Sequence, residues 1–208
     1  MERVLILGAG TAGMSAAVAA ARTREAARSD ADQIEITVLE RATERSLPVY
    51  NYQGELVRTR LPLADLLRPL AVCSIAARVV SVDLSAGQVS LQANAAPSTL
   101  TYDSMVLAPG NDGIRSLALT LPDGVRCDSS GRLPVDAQLQ VRGLQGVFAA
   151  GAAAAVVPGA PSAAMGRVAG ENVMRELLGK PLLRMQNDAW IQHLDFGPWG
   201  AHSVPRLN

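Results

Sequence analysis

A chain of 208 residues, 49% of them hydrophobic, carries enough apolar material for one well-buried domain with at most a small appendage. Lysine plus arginine and aspartate plus glutamate both number 19, so no global field draws in nucleic acid or an anionic membrane. The two cysteines, Cys73 and Cys127, lie far apart outside any CxxC spacing. They signal neither a dithiol redox centre nor a zinc site and read as ordinary buried or half-buried thiols.

The opening run, MERVLILGAG, enters a strand-like segment directly, without the basic stretch, apolar core and cleavage site of a secretory signal. A cytoplasmic protein is expected. The longest apolar stretch, Val147 to Val157, is too short and too rich in glycine and alanine to span a bilayer.

Residues 3–7, RVLIL, form a continuous apolar run ending at glycine, as expected of a strand buried on both faces. An alanine-rich stretch without proline follows over 12–28 and predicts a helix, and IEITVLE, 34–40, predicts a second strand. Together they make one βαβ unit, with parallel strands and a right-handed crossover. Between strand and helix stands GAGTAG, with Gly8, Gly10 and Gly13 spaced as a dinucleotide fingerprint and Thr11 and Ala12 at the helix start. The first glycine permits the turn, the second a close approach to a pyrophosphate, and the third close packing of helix on strand. The helix end adds free N–H groups and a positive dipole end. Glu40 ends the second strand, where a carboxylate can accept both hydroxyls of a ribose diol, and Arg41 can neutralise a phosphate or sit as a solvated surface arginine. A glycine-rich turn that binds nothing is the competing reading.

Residues 42–62, punctuated by Pro48, Gly54 and Pro62, are expected to be irregular, and Leu63 to Val72 to hold a short helix. ARVVSVD, GQVSLQ and STLTY alternate apolar and polar residues and predict a three-stranded antiparallel meander. SMVLAPG, 104–110, returns to a continuous apolar run and predicts a parallel core strand. Residues 111–145 are loop-rich, and GVFAAG, 146–151, predicts a last short core strand. A helix is expected over 162–179 with Ser162 as N-cap and Gly179 at its end. The fold class is therefore α/β, a Rossmann-like domain with a parallel core sheet and an inserted antiparallel meander.

These motifs, in this order, resemble the FAD-binding domain of the pyridine nucleotide-disulfide oxidoreductase superfamily, in particular its NADH dehydrogenase-like and sulfide:quinone reductase-like branch. VLILGAGTAGMSAA is similar to the FAD-binding start and VLER to the ribose-binding strand end. RVVSVD is similar to the strand whose backbone meets the adenine, at Val79, and YDSMVLAPG to the second flavoprotein motif, with Ala108 and Gly110 matching and Pro109 departing. GRLPVDAQLQVRGLQGVFAAGAAA is similar to the segment that closes the FAD domain, through Gly151. The resemblance covers 1–180, as a single FAD-binding-type domain, and leaves 181–208 as an aromatic tail. It implies FAD as cofactor, a small-molecule substrate or a protein electron partner, and the positive end of the helix beginning at Ser162, with Ala164 in its first turn, beside the flavin pyrimidine ring.

Three departures qualify that implication. In the family, the segments matched by Gly110 and Leu133 are separated by a second Rossmann domain that binds NAD(P)H. Here about twenty residues intervene, far short of a domain. The sequence also stops soon after the last flavin-domain helix, so the family's C-terminal interface domain is expected to be absent or reduced to the tail. Finally, Ala152 stands where the family carries an aspartate that bonds the ribityl chain, so FAD is expected to be held more loosely or with compensation.

Candidates for chemistry are few. Tyr50 and Tyr52 lie where the family loop passes near the flavin's substrate face, and His193 and His202 lie in the aromatic tail. Each has a plain alternative as packing or surface residue. Trp190, Phe196 and Trp199 predict docking of the tail on something apolar, a second copy of the chain included. Three functions follow: an FAD-binding oxidoreductase without its own NAD(P)H domain, a redox-neutral isomerase or cyclase on the same scaffold, and a non-catalytic binding protein derived from a reductase.

Overall fold

The structure, a computed structural model, describes residues 1–27, 33–41, 43–50, 53, 55–92, 97–155, 160–185, 192–195 and 201–204. In chain order, β1 (Glu2–Leu7), α1 (Thr11–Ala27) and β2 (Ile34–Glu40) form the expected βαβ unit. Next come β3 (Glu44–Tyr50), β4 (Leu56–Pro62), α2 (Leu63–Leu67), a single 3-10 turn over Arg68–Leu70, and β5 (Cys73–Ala76). The meander is β6 (Arg78–Asp83), β7 (Gln88–Gln92) and β8 (Pro97–Thr101), antiparallel throughout. Then follow β9 (Ser104–Leu107), α3 (Gly110–Ser116), β10 (Ala118–Thr120), β11 (Leu133–Pro134), β12 (Val147–Ala149), β13 (Ala154–Ala155) and α4 (Ser162–Leu177). In the tail, β14 (Gln192–Asp195) and β15 (Ala201–Val204) make an antiparallel hairpin, with Trp190, Phe196 and Trp199 outside the described residues.

The parallel sheet runs β12-β9-β1-β2-β5. From β1 the chain builds outward through β2 to β5, then returns to the other side of β1 for β9 and β12, so the order reverses between β1 and β9. At such a point the loops leaving two neighbouring strands diverge and open a crevice at their carboxyl ends. The central strands are apolar on both faces: Val4, Ile6, Ile36, Val38, Met105, Val106 and Leu107 are fully buried.

Helices α1 and α4 pack together through small residues. A Cβ added at Gly166 would lie 2.0 Å from the Ala12 carbonyl oxygen, and one at Gly170 2.1 Å from that of Ala16. The two backbones touch at these positions, and alanine-rich α1 is the sequence's means to that approach. At the far end of α4, fully buried Asn172 donates to the carbonyls of Gln138 and Leu183, both at 2.8 Å, and accepts from the Leu183 N–H at 2.7 Å. That fastens the chain after α4 to the body of the domain.

The structure corrects four expectations and adds one strand. Residues 42–62 hold the β3–β4 hairpin, with Pro48 opposite Arg58. A two-stranded ribbon leaves each strand an open edge, where a residue lacking an N–H is tolerated. The added strand is β5, over residues to which the sequence patterns assign nothing, and it is held by parallel pairing to β2. The loop-rich stretch 111–145 includes most of α3, and β10, which extends the meander sheet by pairing parallel to β6. Ser162 is the first helical residue rather than the cap. Pro161 occupies the cap, its carbonyl accepting the Met165 N–H at 3.0 Å, with no side-chain cap bond. Cys73 is exposed rather than buried or half-buried. Cys127 is half-buried, and burial, then the nearby Asp128, pushes its thiol up.

The buried Tyr102 hydroxyl has no hydrogen-bond partner among the described residues, and burial, with Asp83 contributing, pushes it up to about 12. A pKa raised above its ordinary value of 10.0 favours the protonated folded state, so stability is lost as pH rises from about 10 to about 12. Tyr102→Phe is expected to leave neutral-pH stability unchanged or raised by about 1 kcal/mol and to remove that part of the alkaline loss. Urea melts at pH 8 and pH 11 check it.

Candidate functional site

At the carboxyl end of β1 the chain turns at Gly8, whose φ of +97° is open only to glycine without strain. A Cβ there would lie 2.2 Å from the Ala108 carbonyl oxygen, and one at Gly13 1.8 Å from the Gly8 carbonyl oxygen. The turn is thus wedged between β9 and the first turn of α1. Its N–H groups are used to hold it: Gly8 donates to the Leu39 carbonyl at 2.8 Å and Ala9 to Glu40 Oε2 at 2.9 Å. The other carboxylate oxygen, Oε1, accepts the Arg41 N–H at 2.8 Å. Glu40 is therefore fixed in place by backbone donors at both carboxylate oxygens.

The first bond within α1 runs from the Met14 N–H to the Gly10 carbonyl at 2.9 Å. The amides of Thr11, Ala12 and Gly13 precede it and have no acceptor inside the helix, which makes this end a site for an anion.

A cavity of about 210 Å³ opens at this point, lined by Leu7, Gly8, Leu39, Glu40, Arg41, Ala77, Arg78, Val79, Pro109, Ser116 and Leu117. It brings together Gly8, Glu40, Arg41 and Val79, four residues singled out from sequence. A β-bulge between Val79 and Ser81 breaks the pairing of β6 with β7 at the cavity. Bulges of this kind re-aim backbone and side chains beside sites. Arg78, Ser116 and Leu117 were not legible: Arg78 is hidden beside Val79, and Ser116 reaches the cavity only because α3 folds back from Gly110. The exposed guanidinium groups of Arg41 and Arg78 give the rim positive charge.

The closing run comes to the same end of the sheet. A Cβ on Gly151, at φ +65°, would lie 3.1 Å from the Ala12 Cβ and 3.6 Å from Ser162 Oγ. The starts of α1 and α4 therefore converge on this glycine. Helix α3, beginning at Gly110, packs against the Gly151–Ala153 turn. Half-buried Ala152 stands in that turn and half-buried Ala164 in the first turn of α4. Ala152 offers no side-chain acceptor.

The catalytic candidates are less well served. Tyr50 ends β3 opposite Leu56, His193 pairs with Ser203 and His202 with Leu194 in the tail hairpin, and Tyr52 lies outside the described residues. None of these four is among the described residues that line the cavity. Among the described residues, no three His, Cys, Asp or Glu side chains are grouped as metal ligands, and no helix is long and apolar enough to cross a membrane.

No family model matches the chain. In sequence, the chain is 32% identical to NADH dehydrogenase-like proteins of two Mycobacterium tuberculosis strains over 115 residues, which are 55% of this chain and 28% of each relative. In structure, it is similar to a pyridine nucleotide-disulfide family oxidoreductase from Enterococcus faecalis, with TM-score 0.64 and 14% identity over 95% of this chain and 73% of that one. The sulfide:quinone oxidoreductase of Aquifex aeolicus matches with TM-score 0.62 and 11% identity over 95% of this chain and 82% of that one. The water-forming NADH oxidase of Lactobacillus brevis matches with TM-score 0.58 and 14% identity over 88% and 71%. At such identities the structures establish the fold. Fold and local sequence thus agree on the resemblance to pyridine nucleotide-disulfide oxidoreductases.

Proposed function

We propose that this chain is an FAD-binding oxidoreductase-like flavoprotein without an NAD(P)H domain of its own between residues 111 and 132, acting on a small organic substrate or exchanging electrons with a partner. The observation that carries the reading is the convergence of Gly8, Glu40 and Val79 on one cavity beside the free amides of α1. These residues fit the adenosine diphosphate half of the cofactor. Glu40 would accept the ribose hydroxyls, Val79 would meet the adenine through its backbone, and the amides of Thr11, Ala12 and Gly13 would hold the pyrophosphate. Gly110, Gly151, Ala152 and Ala164 would flank the remaining half. When bound, the flavin supplies electron-transfer chemistry, and the chain's own part is to orient it and exclude water.

The short path from Gly110 to Leu133, through α3 and β10, supports the absence of an internal nicotinamide domain. Purified protein should therefore be yellow. It should release FAD on denaturation, identified by absorbance and mass spectrometry, and should not bleach with NADH alone. Released NAD(P) would overturn the reading, and colourless protein with no bound nucleotide would favour a binding protein. Turnover with a redox-inactive flavin analogue would favour a redox-neutral enzyme instead.

Ala152 supports looser binding at the ribityl chain. Ala152→Asp is expected to tighten FAD by about ten- to a hundredfold, corresponding to one regained hydrogen bond of about 1–3 kcal/mol. Fluorescence titration of the apoprotein measures it, and unchanged or weaker binding would overturn this placement.

A further inference from the structure

A second concavity, of about 390 Å³, runs between the outer faces of α1 and α4 and shares no residue with the cavity at Glu40. Its floor is apolar: Val18 and Ala19, both buried, with the half-buried Thr23 beside them. Its rim carries Arg22, Arg167, Arg175 and Lys180 against a single carboxylate, Glu171. That carboxylate is already engaged, with Arg175 Nη1 at 3.2 Å, while Arg175 Nε donates to the Pro181 carbonyl at 2.6 Å. Arg167 and Lys180 are exposed and have no side-chain hydrogen bond or ion pair among the described residues. The rim thus carries positive charge beyond what its own carboxylate balances, above a narrow apolar trough.

We propose that this groove binds a small organic anion with a short apolar body and a carboxylate or phosphate head. The lining on α1 runs from Ser15 to Ala26, a helix length of about 16 Å, which suits an extended chain of about ten carbons. The volume is that of a small-molecule site, and either exposed cation, Arg167 toward the start of α4 or Lys180 beyond its end, matches an oxyanion head at one end of the trough. A nucleic acid is disfavoured by the short rim and by the absence of a wider basic field, since acidic and basic residues are equal in number.

The probes are decanoate and decyl phosphate below micelle formation, with decanol and acetate as controls, titrated into the full-length protein by calorimetry and followed by amide NMR shifts. Decanoate or decyl phosphate should bind at least tenfold more tightly than decanol, and acetate should show no binding. The tighter of the two anions identifies the head group. Arg167→Gln combined with Lys180→Gln should weaken binding tenfold or more. Ala26→Trp, at an exposed position, should narrow the groove and weaken binding without moving Tm. Shifts should fall on α1 and α4. Equal affinity for decanoate and decanol, insensitivity to both variants, shifts confined to other elements, or no binding of either anion would each overturn the proposal. FAD content is a separate readout, so failure here leaves the flavin reading standing.

Discussion

Gly166→Val is expected to lower stability by about 3 kcal/mol, seen as a Tm lower by roughly 6–12 °C for a chain of this size. The reason is geometric. The new Cβ would meet the Ala12 carbonyl carbon at 2.7 Å as well as its oxygen at 2.0 Å, and backbone cannot swing aside as a flexible side chain can. The whole of α1 must move away from α4, losing contact along the pair. Gly170→Val should behave alike, because its Cβ would lie 2.6 Å from the Ala16 Cα. Gly124→Asn is the control: that glycine has φ +86° and nothing within 4 Å, and asparagine tolerates this conformation, so a change under about 1 kcal/mol is expected. Thermal unfolding followed by circular dichroism compares the three. A Gly166→Val protein melting with the wild type would mean that the helices do not approach as described. A site effect should accompany the loss, because Ala12 supplies one of the amides at the α1 end.

Glu40→Leu has the second large effect. It removes the acceptor for the Ala9 and Arg41 N–H groups and the partner proposed for the ribose hydroxyls. Charge-assisted hydrogen bonds of this kind are worth about 1.5–3 kcal/mol each, so loss of the ribose contacts should weaken FAD by about a hundredfold. The turn at Gly8 should loosen too, costing about 1–2 kcal/mol without ligand. Glu40→Gln keeps one acceptor oxygen and should fall between. Equal FAD affinity in all three proteins, measured by flavin fluorescence, would remove Glu40 from the site.

The parts legible in sequence are those whose cause is local. The β1–α1–β2 unit shows itself through a continuous apolar run, a glycine turn and an alanine-rich stretch, and the meander through alternation. Gly8 and Glu40 could be named because each sits at a fixed place in such a pattern, and Val79 because RVVSVD resembles the family strand whose backbone meets the adenine. What was missed is fixed by neighbours distant in sequence. The four residues of β5 are a strand because β2 offers an edge, and β10 because β6 does. Ser116 and Leu117 reach the cavity through the path of α3. The basic groove is harder still: Arg167, Glu171 and Arg175 read as an ordinary solvated helix stripe. Only the close approach of α4 to Ala12 and Ala16 sets that stripe beside α1.

The central claim is that the crevice between the ends of β1 and β9 holds the adenosine diphosphate half of FAD. Competitive titration of the apoprotein tests it most directly. FAD should bind saturably at one per chain, ADP should displace it, and FMN, which lacks that half, should not compete. Absence of FAD binding, displacement by FMN but not by ADP, or tighter binding of NADH than of FAD would contradict the claim.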